Sequence, residues 1–192
     1  RWLSHPGDRW LDDVDVLVHA DDTLLAELGI AKGVMTLIDA GQAEAIYARL
    51  PPGVECSGGS AANTVVGLAA LGGRGAYLGK VRDDQLGQVF RHDITSAGVA
   101  FDTRPATGGA ATARCFVLVT PDAQRTMLTY LGACVELGPD DVDPAVIAAA
   151  EVTYLEGYLY DPPQAKAAFQ RAAEVAHAAG RRVSLSLSDP FC

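Results

Sequence analysis

From about residue 61 onward the chain alternates short apolar runs with longer stretches of helical periodicity, the pattern of βαβ units around a mostly parallel sheet. Residues 61–71 have apolar positions at helical spacing and run into Gly72-Gly73. Residues 76–81 predict a strand, and residues 84–97 return to helical spacing and stop before Gly98. After an interruption the alternation resumes. Asp143-Pro144 opens a short alanine-rich helix, residues 152–158 predict a strand, and residues 163–179 predict a long helix with proline at its start and Gly180 after its end. Val183, Leu185 and Leu187 alternate with serines in a last strand.

The interruption, residues 107–136, has a different character. Two strand-like runs, 113–120 and 125–131, flank Pro121-Asp122-Ala123-Gln124 and predict a hairpin. A further strand-like piece, residues 33–38, precedes the first of the helices named above. Together these pieces are expected to form a small antiparallel sheet beside the parallel one, from segments of about 31–57 and 107–136. A sheet with few helices to cover it serves as a flap or an interface. No internal repeat or low-complexity linker divides residues 1–192, so a single domain is expected.

A hydrophobic content of 49% is ample for a packed core. No run approaches the roughly 18 apolar residues of a membrane span, and the first ten residues carry no secretory apolar segment, so a cytoplasmic location is expected. The net charge of −9, from 24 acidic against 15 basic residues, argues against a nucleic-acid surface, which needs clustered Lys and Arg. Small molecules or a second copy of the chain are the expected partners. Cys56, Cys115, Cys134 and Cys192 lack both Cys-x-x-Cys spacing and nearby histidines, so buried reduced thiols are expected in place of a zinc site or disulfides.

The densest chemical signal is Ser57-Gly58-Gly59-Ser60-Ala61-Ala62-Asn63. Paired glycines permit positive φ and close approach of a bound group, and the following helix offers unsatisfied amides, with Ser60 placed to cap it. Asn63, in the first turn, carries both donors and an acceptor. A well-made helix start explains the same residues about as well. Ligands of open α/β sheets lie beyond the carboxyl ends of the strands, where Arg82-Asp83-Asp84, Tyr160-Asp161 and Ser188-Asp189 fall. Asp84 is also placed to cap a helix.

Gly58-Gly59-Ser60 with Asn63, followed in order by Gly67, Leu71-Gly72, Gly79-Lys80-Val81, Asp84 and Gly87, resembles the first conserved motif of the ribokinase family, also called the PfkB carbohydrate kinases. The match spans about residues 31–192. Lys32-Gly33-Val34-Met35-Thr36-Leu37, the hairpin, and Leu187-Ser188-Asp189-Pro190-Phe191 look most like the adenosine kinase branch. The resemblance implies a three-layer, Rossmann-like α/β fold with a small β lid. It implies ATP- and Mg²⁺-dependent phosphorylation of a primary hydroxyl of a sugar or nucleoside, adenosine to AMP above all. The substrate residues it implies are Asp15, Gly58, Gly59 and Asn63, with Cys115 or Phe116 facing the base. Apart from the resemblance, the sparsely covered lid strands offer a face for a homodimer.

Two departures stand out. Family members place a small-residue turn about five residues before the substrate Asp, where this chain has Trp10-Leu11; Asp13 is the fallback for Asp15. The Gly-Ala-Gly-Asp segment that carries the family's catalytic aspartate does not occur, and neither do the ATP-binding strands after it, so no catalytic or metal-binding residue is assigned. The sequence is therefore expected to be the N-terminal, substrate-and-lid part of such a kinase. The alternative is a non-catalytic nucleoside- or sugar-binding fragment that dimerises through its lid. A dinucleotide-binding dehydrogenase is disfavoured, because Gly-x-Gly-x-x-Gly is absent from the first βαβ unit.

Overall fold

The structure, a computed structural model, describes residues 13–188. Trp10-Leu11, Asp189, Pro190, Phe191 and Cys192 lie outside the described residues, as does the rest of residues 1–12.

Among the described residues, seven strands and six α-helices follow in the order β1 (Asp13–His19), α1 (Asp22–Leu28), β2 (Met35–Leu37), α2 (Ala40–Tyr47), β3 (Val54–Ser57), α3 (Ser60–Ala70), α4 (Gln85–Ser96), β4 (Ala113–Val119), β5 (Arg125–Tyr130), α5 (Pro144–Ala149), β6 (Val152–Glu156), α6 (Pro163–Ala178) and β7 (Arg182–Ser186). β1 forms because valines at 14, 16 and 18 alternate with partly buried or exposed residues, and all three are buried. α1 starts at Asp21, whose carboxylate accepts from the Leu24 amide, and stops at Gly29 in the left-handed region. α2 starts with a reciprocal capping box between Asp39 and Gln42.

The strands form a five-stranded mixed sheet in the order β2-β5-β4-β1-β3 and a parallel pair, β6-β7. β1 and β4 run parallel in continuous register from Asp13↔Ala113 to His19↔Val119. The hairpin β4-β5 and the pair β1-β3 are antiparallel. One face of the large sheet, bearing Val16, Val18, Phe116, Leu118 and Leu128, is covered by Leu25 of α1 and Ala43 of α2. A second core joins α3 and α4 through Ala62, Tyr77, Phe90, Ile94 and Phe101, where three aromatic rings meet at centroid distances of 5.5–5.9 Å. A third surrounds α6.

Several sequence expectations are corrected. The lid strands do not make a separate antiparallel sheet: β2 pairs parallel with β5, and all belong with β1 to one sheet. The predicted strand over 76–81 is extended but forms only isolated bridges, Ala76↔Ala100 and Arg82↔Ala106. The bridges turn the backbone groups of Ala100 and Ala106 toward this segment, while the carbonyls of Phe101 and Thr103, which point away from it, accept from the Arg91 guanidinium. β6 ends at Glu156, where Gly157 opens a 3₁₀ turn. A Cβ on Gly157 would lie 2.4 Å from the Ser186 carbonyl oxygen. Ser60 does not cap α3: Gly59 holds the cap position, and the buried Ser60 hydroxyl has no hydrogen-bond partner among the described residues.

Lys32 ties the outer end of the sheet together, reaching Asp22 at the start of α1 and Asp122 in the hairpin turn, both at 2.8 Å. The Lys32 ammonium, followed by the Thr120 hydroxyl, pulls the Asp122 carboxyl down to about 2, and the two carboxylates hold Lys32 above its usual value. A depressed carboxylate adds stability above its unfolded pKa and loses it as pH falls through its folded value. Denaturant melts between about pH 4 and pH 2 should therefore show the parent losing its small advantage over Asp122→Asn. Because these groups are exposed, that advantage should shrink in about 1 M salt.

Candidate functional site

The face of the large sheet opposite α1 and α2 follows from strand register, and its Ala113 and Met35 pack toward the core around α6. Asp15 stands opposite Cys56 of β3 on one side and Cys115 of β4 on the other; Cys115 faces Thr129 of β5, and Thr129 faces Leu37 of β2. Directly opposed residues share a face, so Leu37, Thr129, Cys115, Asp15 and Cys56 form one row across five strands. Two residues along, the same face carries Met35, Met127, Val117, Leu17 and Val54. Cys115, Val117 and Thr129 are buried, Asp15 and Cys56 are half-buried, and Leu37 and Val54 are exposed. The Thr129 hydroxyl donates to the Cys115 sulfur at 3.3 Å. These two rows are apolar and thiol-lined, with the Asp15 carboxylate among them. Phe116, one residue on, points into the α1/α2 core, so Cys115 is the β4 side chain on the Asp15 face.

The glycine turn begins one residue beyond this row. Ser57, the last residue of β3, pairs with Val14, and the chain then passes through Gly58 and Gly59 into α3. Both glycines are buried, and Gly59 has φ 99°, a region that side chains with a Cβ rarely adopt. The Asn63 amide nitrogen donates to the Gly59 carbonyl at 2.8 Å, which puts Asn63 in the first turn. Its side chain is half-buried, and no described residue hydrogen-bonds to it. Asp15, the two glycines and the α3 N-terminus are thus gathered at the foot of adjacent antiparallel strands. With no capping side chain, the first amides of α3 have no partner of that kind. Asp13 begins β1 opposite Ala113, two residues from Asp15 along the same strand.

Other motif residues turn out to be structural. Asp84 caps α4 by accepting from the Gly87 amide at 2.9 Å, and it also accepts from the Thr112 amide and hydroxyl at 2.9 and 2.7 Å. It joins α4 to the foot of β4. Gly72 closes α3 at φ 85°. Lys80 is paired with Asp141, and Arg82 with the Gly109 carbonyl. Tyr160 stacks on Phe169, with Lys166 over its ring.

Sequence reasoning misses two features. Thr129 and Cys56 enter the site face only through strand pairing, although the alternation in Arg125–Tyr130 marks Thr129 as inward-facing once the hairpin register is known. At the carboxyl ends of β6 and β7, Glu156 accepts from the hydroxyls of Tyr154 (3.0 Å) and Ser188. An open cleft of about 600 Å³ lies elsewhere, lined by Lys80, Glu136, Asp140, Asp141 and Gln164 among others, and no residue of the Asp15 row borders it.

Fold and sheet register together define an α/β protein whose mixed sheet runs through a glycine turn into α3. The chain belongs to the pfkB family carbohydrate kinases, whose pattern matches residues 35–192, and its fold is ribokinase-like. It is similar to the crystal structure of adenosine kinase from Sinorhizobium meliloti, with a TM-score of 0.87 at 56% identity, covering 94% of this chain and 55% of that one. It is similar as well to a probable sugar kinase protein from Rhizobium etli CFN 42, with a TM-score of 0.86 at 52% identity over the same shares. Probable fructokinase-4 of Arabidopsis thaliana is 31% identical over 141 residues, 70% of this chain and 42% of that protein. The chain thus spans about half the length of the relatives it matches. Kinases of this family generally use ATP and a divalent metal. Among the described residues no three His, Cys, Asp or Glu side chains gather to hold a metal ion, and no step is assigned to one. Among them, too, no helix is long and apolar enough to cross a membrane.

Proposed function

We propose that this chain forms the acceptor-binding and lid portion of a kinase that transfers phosphate from ATP to the primary hydroxyl of a nucleoside, adenosine before other acceptors. The observation that carries the proposal is the row Leu37–Thr129–Cys115–Asp15–Cys56 with the Gly58-Gly59 turn at its foot. A ribose has vicinal hydroxyls, which two oxygens of one carboxylate accept together, while backbone amides and the Asn63 side chain supply the opposite polarity. A flat heterocycle needs an apolar, polarizable wall, and Cys115, Val117 and Met127 supply one. A hexose has no comparable use for that wall. The 56% identity to the Sinorhizobium meliloti adenosine kinase, against 31% to the fructokinase, supports the same choice.

In this reading Asp15 orients the ribose and Asn63 fixes its register against the turn. The sheet closes over the acceptor and excludes water, which competes for the phosphoryl group. The lid strands are also a candidate dimer interface, testable by sedimentation with and without ligand.

Calorimetric titration of the chain with adenosine, ribose and fructose tests the proposal. Adenosine should bind most tightly; tighter binding of fructose would favour a sugar acceptor and retire the nucleoside assignment. Asn63→Ala should weaken adenosine binding by about 1–3 kcal/mol, because it leaves ligand hydroxyls unpaired, with the melting curve nearly unchanged. An unaltered affinity in the folded variant would make Asn63 an ordinary helix residue.

A further inference from the structure

The Gly58-Gly59 turn is not held by its own side chains. Gly59 occupies the α3 cap position without a side-chain hydrogen bond, and the buried Ser60 hydroxyl has no hydrogen-bond partner among the described residues. The nearest polar anchor is on the residue before the turn. The buried Ser57 hydroxyl donates to Asp93 Oδ2 at 2.6 Å, and Asp93 belongs to α4, 36 residues further along the chain. The other oxygen of Asp93 lies 3.2 Å from His92 Nδ1.

α4 is tied to the lid sheet at two points along its length. Near its start, Asp84 holds Thr112 at the foot of β4; near its end, Asp93 holds Ser57 at the foot of β3. β4 and β3 are the two neighbours of β1, and α4 also packs against β1 and β3 directly. The strand that carries Asp15 is thus flanked by two strands that one helix anchors.

We infer that Asp93 is a positioning residue for the acceptor site: through Ser57 it sets where the Gly58-Gly59 turn stands relative to the Asp15 carboxylate. The inference rests on the proposed function for its ligand and on geometry alone for its mechanism. A short bond between a carboxylate and a hydroxyl at a part-buried position is directional and costly to leave unmade. Without it, β3 keeps its ladder to β1 and Asn63 its bond to the Gly59 carbonyl, but the residue that enters the turn loses its side-chain tie to α4. Asparagine at position 93 retains an oxygen that accepts from Ser57; alanine does not.

The test has two arms. In ligand-free protein, Asp93→Ala and Ser57→Ala should each shift the Gly58 and Gly59 backbone resonances. Each should also speed exchange of the Asn63 amide, whose bond to the Gly59 carbonyl closes the turn, by about tenfold, with Phe90 and Val16 unmoved. Asp93→Asn should restore the parent pattern. In adenosine titrations the same two alanine variants should each raise Kd about tenfold, the double variant no more than either alone, and Asp93→Asn should stay near the parent. Exchange that rises evenly through α4 and the sheet, or additive losses of affinity, would reduce Asp93 to a general stabilising contact. If the parent chain binds no adenosine, the functional proposal fails, and the exchange arm alone still decides for or against the positioning role.

Discussion

Asp15→Ala is expected to weaken adenosine binding by about a hundredfold or more while the protein remains folded. A carboxylate that accepts from two hydroxyls makes two charge-assisted hydrogen bonds, each worth about 1.5–3 kcal/mol. Losing both leaves the ribose hydroxyls facing Cys56 and Cys115, which are poor acceptors. Alanine is compatible with the strand and is flanked by buried Val14 and Val16, so the circular dichroism melt should move by only a few degrees. Asp15→Asn should fall between parent and alanine, keeping one acceptor oxygen and losing the charge. A folded alanine variant with parental affinity would remove Asp15 from the site and turn attention to Asp13.

The second large effect is on stability. A Cβ added to Gly87 would lie 2.0 Å from the Arg82 carbonyl oxygen and 3.0 Å from the Thr112 hydroxyl. Arg82 and Thr112 are backbone and buried side chain of the junction that Asp84 holds, so no flexible side-chain end can move aside. Gly87→Ala should cost about 3 kcal/mol or more, the range of overpacking that forces backbone to shift. For a chain of 192 residues that is a fall in melting temperature of about 6–12 °C. Gly67→Ala is the matched control. Gly67 lies inside α3 with nothing within 4 Å of a built Cβ, so alanine there should be neutral or stabilising by up to about 1 kcal/mol. Equal melting temperatures for the two variants would contradict the close approach at Gly87.

This contrast shows how the glycine motif divides. Its ordered residues resemble a ligand signature as a whole, yet Gly72, Asp84 and Gly87 are explained by a helix stop, a helix cap and a backbone crossing. Only Gly58, Gly59 and Asn63 face the question of a ligand. That division is invisible in the sequence, because a glycine needed for positive φ and one needed for close approach look the same.

Periodicity made the hairpin and helices α3, α4 and α6 legible, because their apolar spacing is strong and their ends carry glycine, proline or aspartate. α1 and α2 are short, seven and eight residues, and their apolar stripes are weak; the caps at Asp21 and Asp39 are the better signals. Residues 76–81 have the composition of a strand, and that they make only isolated bridges depends on their pairing with residues 100–106, which no local pattern announces. The site was legible in its polar residues and not in its wall. Thr129 and Met127 reach the Asp15 face only once the parallel register of β1 and β4 is fixed, which leaves no turn signature in the sequence, and Cys56 reaches it through the antiparallel pair β1-β3.

The most direct test of the acceptor site is a paired titration of the chain with adenosine and with 2′,3′-dideoxyadenosine, which keeps the base and the primary hydroxyl but lacks the vicinal pair. The account predicts that adenosine binds and that the dideoxy compound binds at least about a hundredfold more weakly, since a site built for hydroxyls leaves its own groups unpaired without them. Equal affinity for the two would contradict it, because Asp15 and the Gly58-Gly59 turn would then be holding nothing.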